Sequence, residues 1–339
     1  MGYDTVDESL QRGVAPEFIG HLTSGVLLPV LERVRHDDTL TLEIRNGYVD
    51  VYYRGGRVLG IHGNGRSGRF RAEFDMNYCN IDPAYCPTLP KEPAKSIASE
   101  DDAREWVEAL ASYKQVMDVF FSDHPKLERE FQQNVLRDNN RHLVGERTEY
   151  TILDIEYAQS PRAFPENSNF RFDMVGMLWP TPGRNRRSRL ATPVLIEMKA
   201  GDGALASHAT GDGKRLPGLA KHVDDIEAFL EPEPPAATSP RYDLLRTELT
   251  TTLRLKQELG LPSIPKTMKT LEIEQWNDRP QVLFILANHQ PASTILKKEL
   301  AKLPPRVHAD YFVAKVSYAG YSLFSDNITP LDDFIAEIG

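Results

Sequence analysis

The chain has 339 residues, long enough for a sizeable core and for two domains. Apolar residues make up 40% and charged residues 26%, an ordinary globular balance, and the net charge of −9 excludes a protein that coats nucleic acid by bulk electrostatics. Two cysteines, Cys79 and Cys86, support neither a disulfide framework nor a four-ligand zinc site, and the expected location is cytoplasmic, because no signal core or apolar run long enough to span a bilayer is present.

In chain order, residues 18–35 repeat apolar side chains at helical spacing, with Pro29 expected to break or kink the helix. The period then changes to two. Strands at 40–45, 48–53 and 57–62 are joined by Asn46-Gly47 and Gly55-Gly56, which are hairpin signals, and a strand at 70–74 follows. This antiparallel β-meander, with the proline-rich loop after it, sets residues 1–95 as an accessory region. Residues 100–121 and 126–139 read as amphipathic helices, the second opened by Pro125.

Strands are expected at 150–158, 170–179 and 194–199, then a glycine-rich loop and a helix at 219–230. A long helix at 242–259, a strand at 281–287, a helix at 292–303 and a strand at 311–316 complete the pattern. Such alternation predicts an α/β domain over 96–339, with its core at about 126–317. The unbroken apolar runs at 194–196 and 282–286 suit central strands covered on both faces.

Two acids interrupt these apolar runs. Asp173 lies in FRFDMVGMLW, and Glu197 and Lys199 end TPVLIEMKAG. A buried charge is costly and needs a reason. Side chains alternate along a strand, so Glu197 and Lys199 share a face while Met198 turns away. With Asp173 on the neighbouring strand, two carboxylates can meet at one Mg²⁺ or Mn²⁺, with the Met198 carbonyl as a further donor. Lys199 would orient water or stabilise the charge of a phosphodiester under attack. The glycines at 201, 203, 211, 213 and 218 are not followed by a phosphate-loop Lys-Ser or Lys-Thr, so the NTPase reading fails.

Asp173 followed by Glu197-x-Lys199, set in a helix-strand-strand-strand-helix order, resembles the restriction-endonuclease-like PD-(D/E)xK nuclease superfamily, over about residues 126–285. Phe172 stands where the motif's proline would be. The resemblance implies a mixed central sheet flanked by helices. It also implies metal ligation by Asp173 and Glu197, a catalytic Lys199, and a further acid from the preceding helix. Glu128 matches that placement, and Glu130 competes for it. The helix after the motif offers Lys221 and His222, and a symmetric hairpin would set Glu156 opposite Asp173.

The arginines at 184, 186, 187 and 189 form a candidate phosphate patch. The expected activity is metal-dependent hydrolysis of nucleic acid, with DNA the first choice of substrate, and a homodimer is a further expectation because relatives that cut both strands often pair two sites. The alternative is a protein that keeps the nuclease fold and binds a partner without cutting.

Overall fold

The computed structural model describes residues 12–82, 84, 93, 95–141, 148–159, 170–179, 189–209, 215–216, 218–290, 292–316 and 320–338. The chain is α/β and divides into two compact units. One comprises Met1–Gln133 with Thr251–Ile264, and the other Asn134–Thr250 with Pro265–Gly339. The first unit therefore extends beyond the expected boundary at residue 95 and recruits a segment distant in sequence.

In the first unit, helices α1 (Pro16–Ser24) and α2 (Leu28–His36) replace the single helix expected at 18–35. The break falls at Gly25 to Leu27, and Pro29 sits inside the first turn of α2, where its missing N–H is harmless. Strands β1 (Leu40–Ile44), β2 (Tyr48–Tyr53), β3 (Gly56–His62), β4 (Phe70–Glu73) and β5 (Ser96–Ile97) form an antiparallel sheet in sequence order. Gly47 and Gly55 take φ of 78° and 72°, the left-handed conformation that these tight turns require.

One face of that sheet, with Leu42, Ile44, Val49, Val51, Leu59 and Ile61, packs with Trp106, Leu110 and Met117 of α3 (Glu100–Asp123). Ser99 and Asp102 close a capping box at the start of α3. Leu255, Leu259 and Leu261 join the same core. Lys256 reaches Glu43 at 2.7 Å, with both side chains wholly buried.

In the second unit a mixed sheet runs β14-β13-β12-β8-β7-β6. Its strands are β6 (Tyr150–Gln159), β7 (Phe170–Leu178), β8 (Leu190–Ala200), β12 (Gln281–Ala287), β13 (Asp310–Val316) and β14 (Ile328–Pro330). Strands β6, β7 and β8 are antiparallel neighbours, whereas β8, β12 and β13 run parallel. Parallel neighbours need long crossovers. Helices α5 (Leu219–Leu230) and α6 (Pro240–Glu258) lie between β8 and β12, and α7 (Thr294–Leu300) between β12 and β13.

Residues 193 to 199 of β8 are all buried, in keeping with a strand covered on both faces. Strands β9 (His208–Ala209) and β10 (Arg215–Leu216) form a separate antiparallel pair, a short β11 (Gln275–Trp276) pairs with the start of β8, and α8 (Leu331–Ile338) ends the described chain. α4 (Leu127–Asn140) and α6 each span the division between the units.

Candidate active site

The candidate site is built within the second unit around the ends of β7 and β8. Their antiparallel ladder runs from Leu178↔Thr192 to Met174↔Ile196. One further step in that register opposes Asp173 and Glu197. There the Asp173 carboxylate takes over from the backbone: its Oδ2 accepts the Met198 N–H at 2.8 Å.

On the other side of β7, the pairs Ile155↔Met174 and Tyr157↔Phe172 bracket Glu156 and place it opposite Asp173. Glu156 has φ of +51°, a left-handed conformation costing roughly 1–2 kcal/mol for a residue with a Cβ. A bulge two to four residues earlier, between Ile152 and Asp154, further distorts β6 beside the site.

Glu197 is 1% exposed and pairs in register with Phe284 of β12. Its Oε2 stands 3.1 Å from His222 Nδ1. His222 is brought there by close backbone packing ahead of α5. Gly201, with φ of +70°, turns the chain out of β8, and Leu205 O accepts the Leu219 N–H at 3.0 Å. A Cβ on Gly218 would lie 2.5 Å from Ser207 N and 2.6 Å from Leu205 O, so only glycine allows this approach.

Further along α5, the Glu227 carboxylate accepts hydrogen bonds from Tyr311 Oη (2.7 Å), Val307 N (2.9 Å) and His308 N (3.0 Å). Burial, reinforced by Glu227, pushes the Tyr311 phenol well above its ordinary value.

Lys199 is 6% exposed and, among the described residues, its ammonium has neither an ion pair nor a hydrogen bond. Pairing with Asp173 or Glu197 is therefore not what holds it. Its backbone is pinned instead, because Lys199 O lies 3.1 Å from His289 Nε2, and His289 Nδ1 lies 2.9 Å from Asp202 Oδ1. The Ser293 hydroxyl, with His289 and the Gln290 N–H, outweighs burial and holds the Asp202 carboxyl below the usual carboxylate range. His289 was missed in the sequence; its one signal is a polar residue just past the C-terminal end of a parallel strand.

Glu128 belongs to the first unit, whereas Asp173, Glu197 and Lys199 belong to the second. Glu130, its competitor, is held by Arg54 at 3.1 Å. Lys221 pairs with Asp225 on its own helix. Of the expected phosphate patch, the arginines at 184, 186 and 187 lie outside the described residues, and Arg189 is engaged by Glu274 and by Glu272 at 3.6 Å.

Comparison with family models, with curated proteins and with solved structures finds no match. The chemistry of the site therefore rests on its own geometry.

Among the described residues, no three His, Cys, Asp or Glu side chains converge as a ready metal cage. Two carboxylates on adjacent strands still suit magnesium, which is commonly held by one or two carboxylates, waters and substrate phosphates. No described helix is long and apolar enough to cross a membrane.

Proposed function

We propose that the second unit is a metal-dependent phosphodiesterase that hydrolyses nucleic acid, DNA first among its substrates, and a restriction-endonuclease-like PD-(D/E)xK nuclease in fold. The observation that carries this reading is Lys199: a lysine 6% exposed, with no anion partner among the described residues, two positions along β8 from the buried Glu197. Its stem is covered while its ammonium is held by no described anion, so Lys199 is placed beside Glu197 to meet an anion that arrives with the substrate. A phosphodiester supplies one.

Asp173 and Glu197 would hold Mg²⁺ or Mn²⁺, which when bound neutralises phosphate charge and makes its water more acidic. Glu197 contributes a buried carboxylate carried by β8 and held beside His222, so its orientation is set before substrate arrives. Asp173 is fixed by the Met198 N–H. Lys199 stabilises the charge that grows on the phosphate oxygens, and a low-dielectric setting strengthens that interaction. His289 and Asp202 keep the end of β8, and so Lys199, in place.

The test is a cleavage screen on plasmid, linear duplex, single-stranded DNA and RNA with Mg²⁺ or Mn²⁺, comparing wild type with Asp173→Ala and Glu197→Gln. Cleavage that needs metal and disappears in both variants supports the reading. Cleavage unaffected by either substitution rejects it.

A further inference from the structure

We propose that the first unit carries a docking surface for single-stranded nucleic acid, built from Tyr48, His62 and Arg71 on the sheet and from Arg66 and Arg69 in the loop between β3 and β4. The surface lies outside the candidate active site, and its role does not depend on cleavage.

The strand register brings the first three residues together. Tyr48 pairs with His62 and His62 with Arg71, so one cross-strand row runs over β2, β3 and β4. Directly opposed residues of an antiparallel pair share a face. The Tyr48 and His62 rings are stacked, with centroids 4.5 Å apart and 26° between their planes. None of the three is buried, and the Arg71 side chain is 72% exposed.

The loop beyond this row reads GNGRSGR, residues 63–69, and is held in one shape. A Cβ on Gly65 would lie 2.6 Å from Phe18 N, so glycine lets the loop rest on the first turn of α1, where His21 Nε2 donates to Gly65 O at 3.1 Å. Asn64 Oδ1 accepts the Arg66 N–H at 3.1 Å, and Ser67 Oγ the Arg69 N–H at 3.3 Å. Both arginines are exposed, and among the described residues neither guanidinium has an ion pair or a hydrogen bond.

Residues 57–73 hold four arginines and one acid, in a chain whose net charge is −9. That acid, Glu73, is held by Arg71 and by Arg57 at 3.4 Å, with His62 at 3.6 Å. Asp50, in the next row on this face, lies 3.7 Å from Arg45 and 3.8 Å from Arg57. Glu17, whose stem rests on Gly65, pairs with neither Arg66 nor Arg69. The surface therefore keeps an excess of positive charge.

Arginine meets phosphate oxygens through a planar fork, and a nucleic-acid strand repeats that anion at every nucleotide. Aromatic rings beside such cations take the unstacked bases of a single strand, whereas a duplex keeps its base faces covered. A lipid surface fits less well, because residues 63–69 offer no apolar side chain to bury in it.

The experiment is fluorescence anisotropy of a labelled oligothymidylate and of a labelled DNA duplex with the full chain, over a range of salt concentrations and with a chelator present. The variants are Arg66→Gln/Arg69→Gln, Tyr48→Ala and Tyr48→Phe. Lys297→Gln/Lys298→Gln, at exposed positions of α7, removes the same charge elsewhere. Wild type should bind the single strand more tightly than the duplex. The arginine double variant should lose at least about tenfold in affinity and flatten the slope of log affinity against log salt by about 1.4, the share of two phosphates. Tyr48→Ala should weaken binding by about fivefold or more at unchanged slope, Tyr48→Phe should retain it, and the lysine double variant should bind as wild type does.

No binding by wild type, an arginine double variant that binds like wild type, or a lysine double variant that loses as much overturns the inference. Duplex bound as tightly as single strand overturns it too, as does binding to phosphatidylserine vesicles without binding to the oligonucleotide. Docking is read with metal removed and cleavage with metal present, so the two readings fail separately.

Discussion

Replacing Lys256 by Met removes the cation from a pair whose side chains are both 0% exposed and 2.7 Å apart. Methionine keeps most of the stem's volume, so the change is chiefly one of charge. Glu43 then either stays ionised without this partner, at a cost of about 3–5 kcal/mol, or takes up a proton. From an ordinary pKa of about 4.3, protonation at pH 7 costs about 3.7 kcal/mol. The chain adopts the cheaper state, so the expected loss is about 3–4 kcal/mol at pH 7.

Because folding of the variant then binds a proton, its deficit shrinks as pH falls, to about 1 kcal/mol at pH 5. Hydrogen exchange at the amides of β1 to β3 reads the opening of this unit by itself. Adding Glu43→Gln should remove most of the pH dependence. A deficit under about 1 kcal/mol at pH 7, or an equal deficit at both pH values, would refute the reasoning.

Two other perturbations follow from the same kind of accounting. Burial pushes the Asp37 carboxyl up, but the hydrogen bonds from Lys114 and Thr39 and the Lys114 charge prevail and bring it down to about 2. With the side chain 11% exposed, that contributes on the order of 2 kcal/mol above pH 4, lost as pH falls from about 4 to 2. Asp37→Asn should therefore be less stable than wild type at pH 7 and equal to it near pH 2 in acid unfolding curves. Gly218→Ala forces a Cβ into the backbone of residues 205–207 and should cost about 1–3 kcal/mol in thermal unfolding.

The local grammar of the chain was legible where it is self-contained. Asn46-Gly47 and Gly55-Gly56 fixed the hairpins because left-handed turns demand those residues whatever the tertiary context, and β2 spans Tyr48–Tyr53 as read. The helix at 219–230 and the strand at 281–287 likewise keep their read bounds. What depends on distant contacts left no such mark. Leu255 and Leu259 look like any inward helix residues, yet they serve the core of the first unit.

At the site, strand alternation was enough to put Glu197 and Lys199 on one face, and hairpin symmetry to put Glu156 opposite Asp173. The approach of His222 to Glu197 depends on how the turn after β8 folds back on Gly218, a tertiary contact that periodicity does not encode. Pro29 shows the same limit on a smaller scale, since a proline marks a helix start as readily as a helix break.

The most direct measurement is metal-dependent cleavage by Lys199→Ala beside calorimetric metal binding by the same variant. The account predicts that cleavage is lost while Mn²⁺ or Mg²⁺ is still bound, because Lys199 serves the phosphate and Asp173 and Glu197 serve the ion. Cleavage retained at the wild-type rate in Lys199→Ala would contradict it.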